Sequence, residues 1–189
     1  MQKRFFYFFI FCTIVFSFNC SNGNKKEIKV AFWNVENLFD LENNPLTNDD
    51  EFAIGGKKSC TQEILDLKIE HLKEIIEEID ADIFGFCEVE NRGICELLNT
   101  NLQNLNYQII HYDSPDKRGI DNVLFYDPDI IDILESFPIN IPLNKGSTTR
   151  DILYVRGRIS ENDVHIFVNH WPSNYGGKSR AIPKRAKTA

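Results

Sequence analysis

Residues 82–90 read DIFGFCEVE: Asp82, an uncharged run from Ile83 to Cys87, then Glu88, Val89 and Glu90. A short apolar run bounded by acids, with large side chains on both parities, fits a strand buried on both faces. Before it, Ile64, Leu65, Leu67, Ile69, Leu72, Ile75, Ile76 and Ile79 recur at spacings of three and four. That period predicts an amphipathic helix over Ile64–Ile79. Before the helix, Ile28–Phe39 reads as a strand, and the Gly-, Asn- and Asp-rich residues Asn43–Ser59 read as a loop. Strand, helix and strand therefore lead into Glu88.

Downstream, Ile94–Leu105 repeats the helical pattern, and Tyr107–Tyr112 and Asn122–Tyr126 read as short strands around a polar loop, Asp113–Asp121. Another strand is expected within Ile130–Phe137. Ile152–Ile159 and Val164–Trp171 follow, joined by a tight turn at Ser160–Asp163. Pro172–Ala189 is rich in Gly, Lys and Arg and shows no capping element. This order predicts an α/β fold, an α+β mixed sheet with helices on one face. It offers no second set of helices for the other face, so that face is expected to be uncovered.

The N-terminus has its own logic. Met1–Arg4 is a short basic stretch, followed by an almost purely apolar run from Phe5 to Phe18. The run is shorter than the roughly 20 residues of a spanning helix and reads as a secretory signal peptide. Cys20 stands where a lipoprotein is cut and lipidated, although Asn19 is unusual just before such a cysteine. The expected organisation is residues 1–20 as signal peptide of possible lipoprotein type, 21–27 as tether and 28–189 as one domain. The expected location is outside the cytoplasm, at the cell surface or in the periplasm, with a lipid anchor at Cys20 as the alternative to simple export. Beyond Cys20, Cys60, Cys87 and Cys95 remain near or within the domain; Cys87 reads as a buried thiol, and Cys60 with Cys95 is the pair to test.

Loss of Lys3 and Arg4 with the signal takes the formal charge from −7 to −9. Such a chain lacks the broad basic surface that supplies non-specific nucleic-acid affinity. A phosphodiester substrate would then need a bound cation to offset repulsion.

Three polar clusters stand where apolar strands end: Asn34 and Glu36 in WNVEN, Glu88 and Glu90 in CEVEN, and Asn169 and His170 in VNHWP. Singly, each reads as a solvated strand end, a turn cap or a hydrogen-bonded structural imidazole. Together, AFWNVENLF (31–39), DIFGFCEVE (82–90) and FVNHWPS (167–173) resemble, in order and spacing, the endonuclease/exonuclease/phosphatase superfamily. The resemblance covers roughly residues 28–180. It implies the first half of a four-layer α/β/β/α sandwich of the deoxyribonuclease I-like type.

The resemblance implies a divalent-metal-dependent phosphodiester hydrolase, most readily a nuclease. The alternatives are a phospholipid phosphodiesterase, a phosphate monoesterase, or a non-catalytic half-domain that binds a partner. Glu88 is then the principal carboxylate for the metal, with Glu36 as a supporting or second-metal acid and Asn34 beside the metal or the scissile phosphate. Oxygen ligands suit Mg²⁺, or Mn²⁺ or Ca²⁺. His170 resembles the first catalytic histidine, and Asp121 the acid that orients it and raises its pKa. Arg150 resembles a phosphate-contacting arginine; its plain alternative is a surface arginine paired with Asp151. Asn174 and Arg180 are candidates for the substrate rim.

Nucleic acid is the expected substrate, with a phospholipid or a phosphorylated small molecule as the alternative; no protein partner can be identified. The family's later Gly-Asp-x-Asn and Asp-His motifs do not occur in these residues. The expectation is therefore a chain inactive by itself and prone to self-association through its uncovered sheet.

Overall fold

The computed structural model describes residues 27–103, 105–143, 148–174 and 176–189. The expected signal peptide, its Cys20 and all of the tether except Glu27 lie outside the described residues. In chain order the elements are β1 (Val30–Leu38), α1 (Gln62–Ile79), β2 (Ile83–Val89), α2 (Arg92–Asn101), β3 (Gln108–His111), β4 (Asp121–Tyr126), β5 (Asp132–Ile139), β6 (Ile152–Ile159), β7 (Asn162–Val168) and α3 (Lys178–Thr188).

β2 is the centre, as its composition demands. It pairs parallel with β1 and antiparallel with β4, and β3 completes a four-stranded sheet of order β1-β2-β4-β3. On one face, Phe84, Phe86, Val123 and Phe125 meet the buried stripe Leu65, Leu72 and Ile76 of α1 and Ile94 and Leu98 of α2. α1 starts at Thr61, whose side chain accepts a hydrogen bond from the Ile64 N–H, and ends at the left-handed Asp80. Asn91 caps α2 in the same way, accepting from the Ile94 N–H at 3.0 Å. Such caps satisfy amide groups that the helix itself leaves open.

The expectation of one half-covered sheet is overturned on its other face. β5, β6 and β7 form a second, antiparallel sheet of order β5-β6-β7. Its Leu153, Val155 and Val168 join Ile83, Leu124 and Ile131 in a second buried cluster between the sheets. Val168 is 3% exposed. Within the second sheet a Cβ on Gly157 would lie 2.5 Å from Ile131 Cδ1, so glycine is what lets Ile131 pack there. The result is three layers, helices on sheet on sheet. Pro138 is accommodated because β5 has a single hydrogen-bonded neighbour, β6.

Two further expectations change. Residues 178–188, to which the sequence pattern assigns no element, form a helix. Cys60, Cys87 and Cys95 are all free thiols, so the Cys60–Cys95 pair does not form; Cys87 is buried as expected. Among the described residues, no helix is long and apolar enough to cross a membrane.

Candidate functional site

The site lies where the β1–β2 ladder breaks. Register shifts fall between Asn34 and Leu38 on β1 and between Cys87 and Val89 on β2. Within the shifts, Glu36 (φ 55°), Asn37 (φ 62°) and Glu88 (φ 64°) are left-handed. Each such non-glycine residue costs on the order of 1–3 kcal/mol, and such residues cluster at functional sites. A bulge re-aims a side chain that would otherwise follow the strand's alternation; here the residues re-aimed are Glu36 and Glu88.

The strained backbone is held from below. Asn34 Oδ1 accepts the Glu36 N–H at 2.8 Å. Lys68, on α1, donates from Nζ to the carbonyls of Glu36 (2.6 Å) and Asn37 (3.0 Å). Burial lowers the pKa of Lys68, while the negative fields of Glu36 and Glu88 act to raise it. Lys68 thus ties Glu36 and Glu88 into one electrostatic neighbourhood. Nothing in the sequence singles it out, because it is one of two lysines on an amphipathic helix. A cleft of 310 Å³ opens here, lined in part by Trp33, Asn34, Glu36, Lys68 and His71.

His170 arrives from the end of β7. Its Nε2 is 3.4 Å from Glu88 Oε1, and both side chains are largely buried. Its Nδ1 is buried with no hydrogen-bond partner. Burial first, then the positive field of Arg150, pulls the imidazole pKa down to about 4 against the opposing pull of Glu88. His170 is therefore neutral at pH 7, the reverse of the raised pKa expected.

The expected Asp121–His170 pair is not formed. Asp121 Oδ2 lies 3.1 Å from His111 Nε2, and Asp121 Oδ1 accepts from the backbone N–H (2.9 Å) and hydroxyl of Ser114. The reason is local: β3 and β4 are paired with His111 opposite Val123, which puts His111 diagonally across from Asp121. His111, Asp113 and Asp121 also offer ligand atoms within 4.8 Å of one another. Asp113 is mostly exposed, however, and the Asp121 oxygens already serve His111 and Ser114.

Arg150 does not pair with Asp151. It is 7% exposed. Its guanidinium donates to Asp116 Oδ2 at 3.0 Å and to the carbonyls of His170 (3.1 Å) and Trp171 (3.0 Å). It thus braces the turn that carries His170 against the β3–β4 loop. Asp151, its expected partner, bonds Asn140 and accepts from Asn122 through its carbonyl. Asn174 and Arg180 are exposed, and among the described residues no hydrogen bond or ion pair joins their side chains to Glu88 or His170.

Arg185, which sequence reasoning passed over, packs its guanidinium 5.5 Å from the Trp171 ring centre and donates to the Pro172 carbonyl at 3.0 Å. With Asn169, His170, Trp171 and Ser173 it lines a second cleft, of 490 Å³.

Glu36 and Glu88 supply carboxylate oxygens, hard donors of the kind that suit Mg²⁺, Mn²⁺ or Ca²⁺ better than zinc, whereas Asn34 Oδ1 is already engaged by the Glu36 N–H. Solved structures share this fold. A humanized D. rerio TDP2 aligns at 14% identity with a TM-score of 0.55, over 78% of this chain and 49% of that one. An endonuclease/exonuclease/phosphatase from Bacteroides vulgatus aligns at 17% with a TM-score of 0.54, over 78% and 53%. D. rerio TDP2 complexed with a single-strand DNA product aligns at 15% with a TM-score of 0.52, over 79% and 48%. The chain spans about half the length of these structures. Comparison with curated proteins gave no match. Residues 29–189 match the family profile described as Endonuclease/Exonuclease/phosphatase family, and the chain belongs to that family.

Proposed function

We propose that this chain carries the metal-holding part of a divalent-metal-dependent phosphodiester hydrolase that acts on nucleic acid outside the cytoplasm. The observation that carries the reading is the meeting of two left-handed breaks, at Glu36–Asn37 and at Glu88, with His170 Nε2 at 3.4 Å from Glu88. Glu88 and Glu36 would hold Mg²⁺, or Mn²⁺ or Ca²⁺, with Asn34 beside them. When bound, the cation supplies Lewis-acid polarisation of a phosphoryl oxygen and absorbs developing charge.

The chain's own residues do the rest of what can be assigned. Lys68 fixes the Glu36–Asn37 backbone, and Arg150 fixes the carbonyls of His170 and Trp171. His170, neutral at pH 7, presents a hydrogen-bonding imidazole beside Glu88 instead of a second positive charge. Nucleic acid as substrate is supported by the D. rerio TDP2 structure, which was solved with a single-strand DNA product. Because the chain spans half of its structural relatives, the activity proposed is that of the whole fold.

The test is an assay of a protein carrying the whole fold, on DNA, RNA, sphingomyelin and a phosphate monoester. Cleavage of polynucleotide in Mg²⁺ and its arrest by EDTA are expected. Glu88→Gln should abolish turnover, and His170→Ala should lower it about 10²–10⁴-fold. Turnover insensitive to EDTA, or a Glu88→Gln variant near wild type, would overturn the assignment.

A further inference from the structure

Two arginines share one carboxylate beside the turn that carries His170. Asp116 Oδ2 accepts from Arg150 Nη1 at 3.0 Å, and Asp116 Oδ1 lies 3.5 Å from Arg118 Nε. Arg150 is 7% exposed, and its Nη2 donates to the carbonyls of His170 and Trp171. Its amino groups are thus bonded to protein oxygens. Arg118 differs. Its side chain is 43% exposed, and among the described residues no hydrogen bond or ion pair engages its Nη1 or Nη2. Asp116 sets one negative charge against two guanidinium charges, so the surplus falls on the exposed member.

The β3–β4 loop fixes where that guanidinium starts. The Arg118 N–H donates to Asp116 Oδ1 at 3.0 Å, and the Gly119 N–H donates to the Asp116 carbonyl at 3.0 Å, closing a turn over residues 116–119. Gly119 is left-handed at φ 72°, and a Cβ there would lie 2.9 Å from Thr47 Cγ2. Only glycine fits both conditions, so the turn seats closely on the loop between β1 and α1. The Asn48 N–H adds a bond to the Lys117 carbonyl at 2.6 Å. On its other side the turn reaches His170 through Asp116 and Arg150. The positive field of Arg118, like that of Arg150, extends to the His170 imidazole.

We propose that Arg118 is a substrate-binding residue whose two free amino groups hold non-bridging oxygens of the phosphate, while Asp116 and Arg150 position it. A guanidinium is a planar fork, and its paired donors match two oxygens of one phosphoryl group. Here the Nε side of the fork is turned to Asp116, which leaves the Nη1–Nη2 end for a ligand. A lysine in its place would offer a point charge without that paired geometry. The inference rests on the phosphodiesterase reading, which supplies the phosphate that Arg118 holds.

The experiment maps arginine reactivity in the full chain with phenylglyoxal and mass spectrometry, with and without inorganic phosphate. Phosphate affinity is measured in parallel from chemical-shift changes in NMR spectra. One arm uses the wild type in Mg²⁺; the other uses Glu88→Gln in EDTA, which has neither cation nor principal metal carboxylate. In both arms phosphate should protect Arg118, and buried Arg150 should react slowly throughout. Arg158, a similarly exposed arginine on β6, should keep its reactivity. Arg118→Gln should weaken phosphate binding about tenfold, the scale of a lost charged hydrogen bond. Arg118→Lys should recover only part of that loss. Because the EDTA arm needs no cation, a failure of the metal reading removes the Mg²⁺ effect and leaves the protection standing. Phosphate that protects Arg150 but not Arg118, or an Arg118→Gln variant with wild-type affinity, would overturn the proposal.

Discussion

Glu90 sits two residues beyond Glu88 but serves a different purpose. It is buried, and its Oε2 accepts the Asp40 N–H at 2.7 Å. Burial, with Asp40 and Asp49 nearby, pushes its carboxyl up to about 8. The folded state therefore holds a proton that the unfolded chain releases above about 4.5. Between those values the native state binds more protons, so stability is greatest below the lower pKa and declines as pH rises through the upper one. Glu90→Gln mimics the protonated carboxyl and removes this dependence. Thermal melts in EDTA should show the wild type losing more stability than Glu90→Gln between pH 5 and pH 8.5; parallel losses would refute the protonated assignment. His170 has the opposite sign. Its depressed pKa makes stability fall as pH drops from about 6.5 toward 4. Neither residue's state is legible in the sequence, because both follow from burial that only the packed fold creates. The positions of Glu88 and His170 at strand ends were legible; that Asp121 would turn to His111 was not, since the hairpin register decides it.

At the scale of elements, legibility tracked burial. β2 announced itself because apolar residues fill both of its faces, and α1 because Leu65, Ile69, Leu72 and Ile76 keep one stripe. The second sheet was hidden. Its outward residues include Phe137, Tyr154 and Phe167, so the apolar pattern does not tell the inner face from the outer. Strand pairing across a sequence gap also leaves no local mark. α3 was hidden by Pro183 and by its Gly-rich lead-in. Within the second sheet, Ile131, just before β5, packs directly over Gly157 of β6. Gly157→Ala should cost about 1–3 kcal/mol by overpacking. Combining it with Ile131→Val, which removes Cδ1, should cost less than the two changes summed. Urea unfolding of the four proteins checks this, and strict additivity would mean that Ile131 and Gly157 do not pack against each other.

Among the described residues, the outer side of the second sheet presents an exposed aromatic surface. There Phe137, Tyr154 and Phe167 form a cross-strand aromatic row with ring centres 4.7 and 5.1 Å apart, and Phe137 and Phe167 are 41% and 54% exposed. With the inner face covered, this row is the surface through which self-association is now predicted. Phe137→Thr with Phe167→Thr keeps strand propensity and should reduce dye binding and self-association while leaving the melt cooperative; unchanged dye binding would place the sticky surface elsewhere. The central claim concerns where the chain holds its cation. Two clusters compete, Glu88 with Glu36 at the strained breaks and His111 with Asp113 and Asp121 on the β3–β4 hairpin. The most direct measurement is Mn²⁺ binding to the full chain, followed by electron paramagnetic resonance. The account predicts binding that Glu88→Gln abolishes and Asp113→Asn leaves intact. Binding that survives Glu88→Gln but is lost in Asp113→Asn would contradict it.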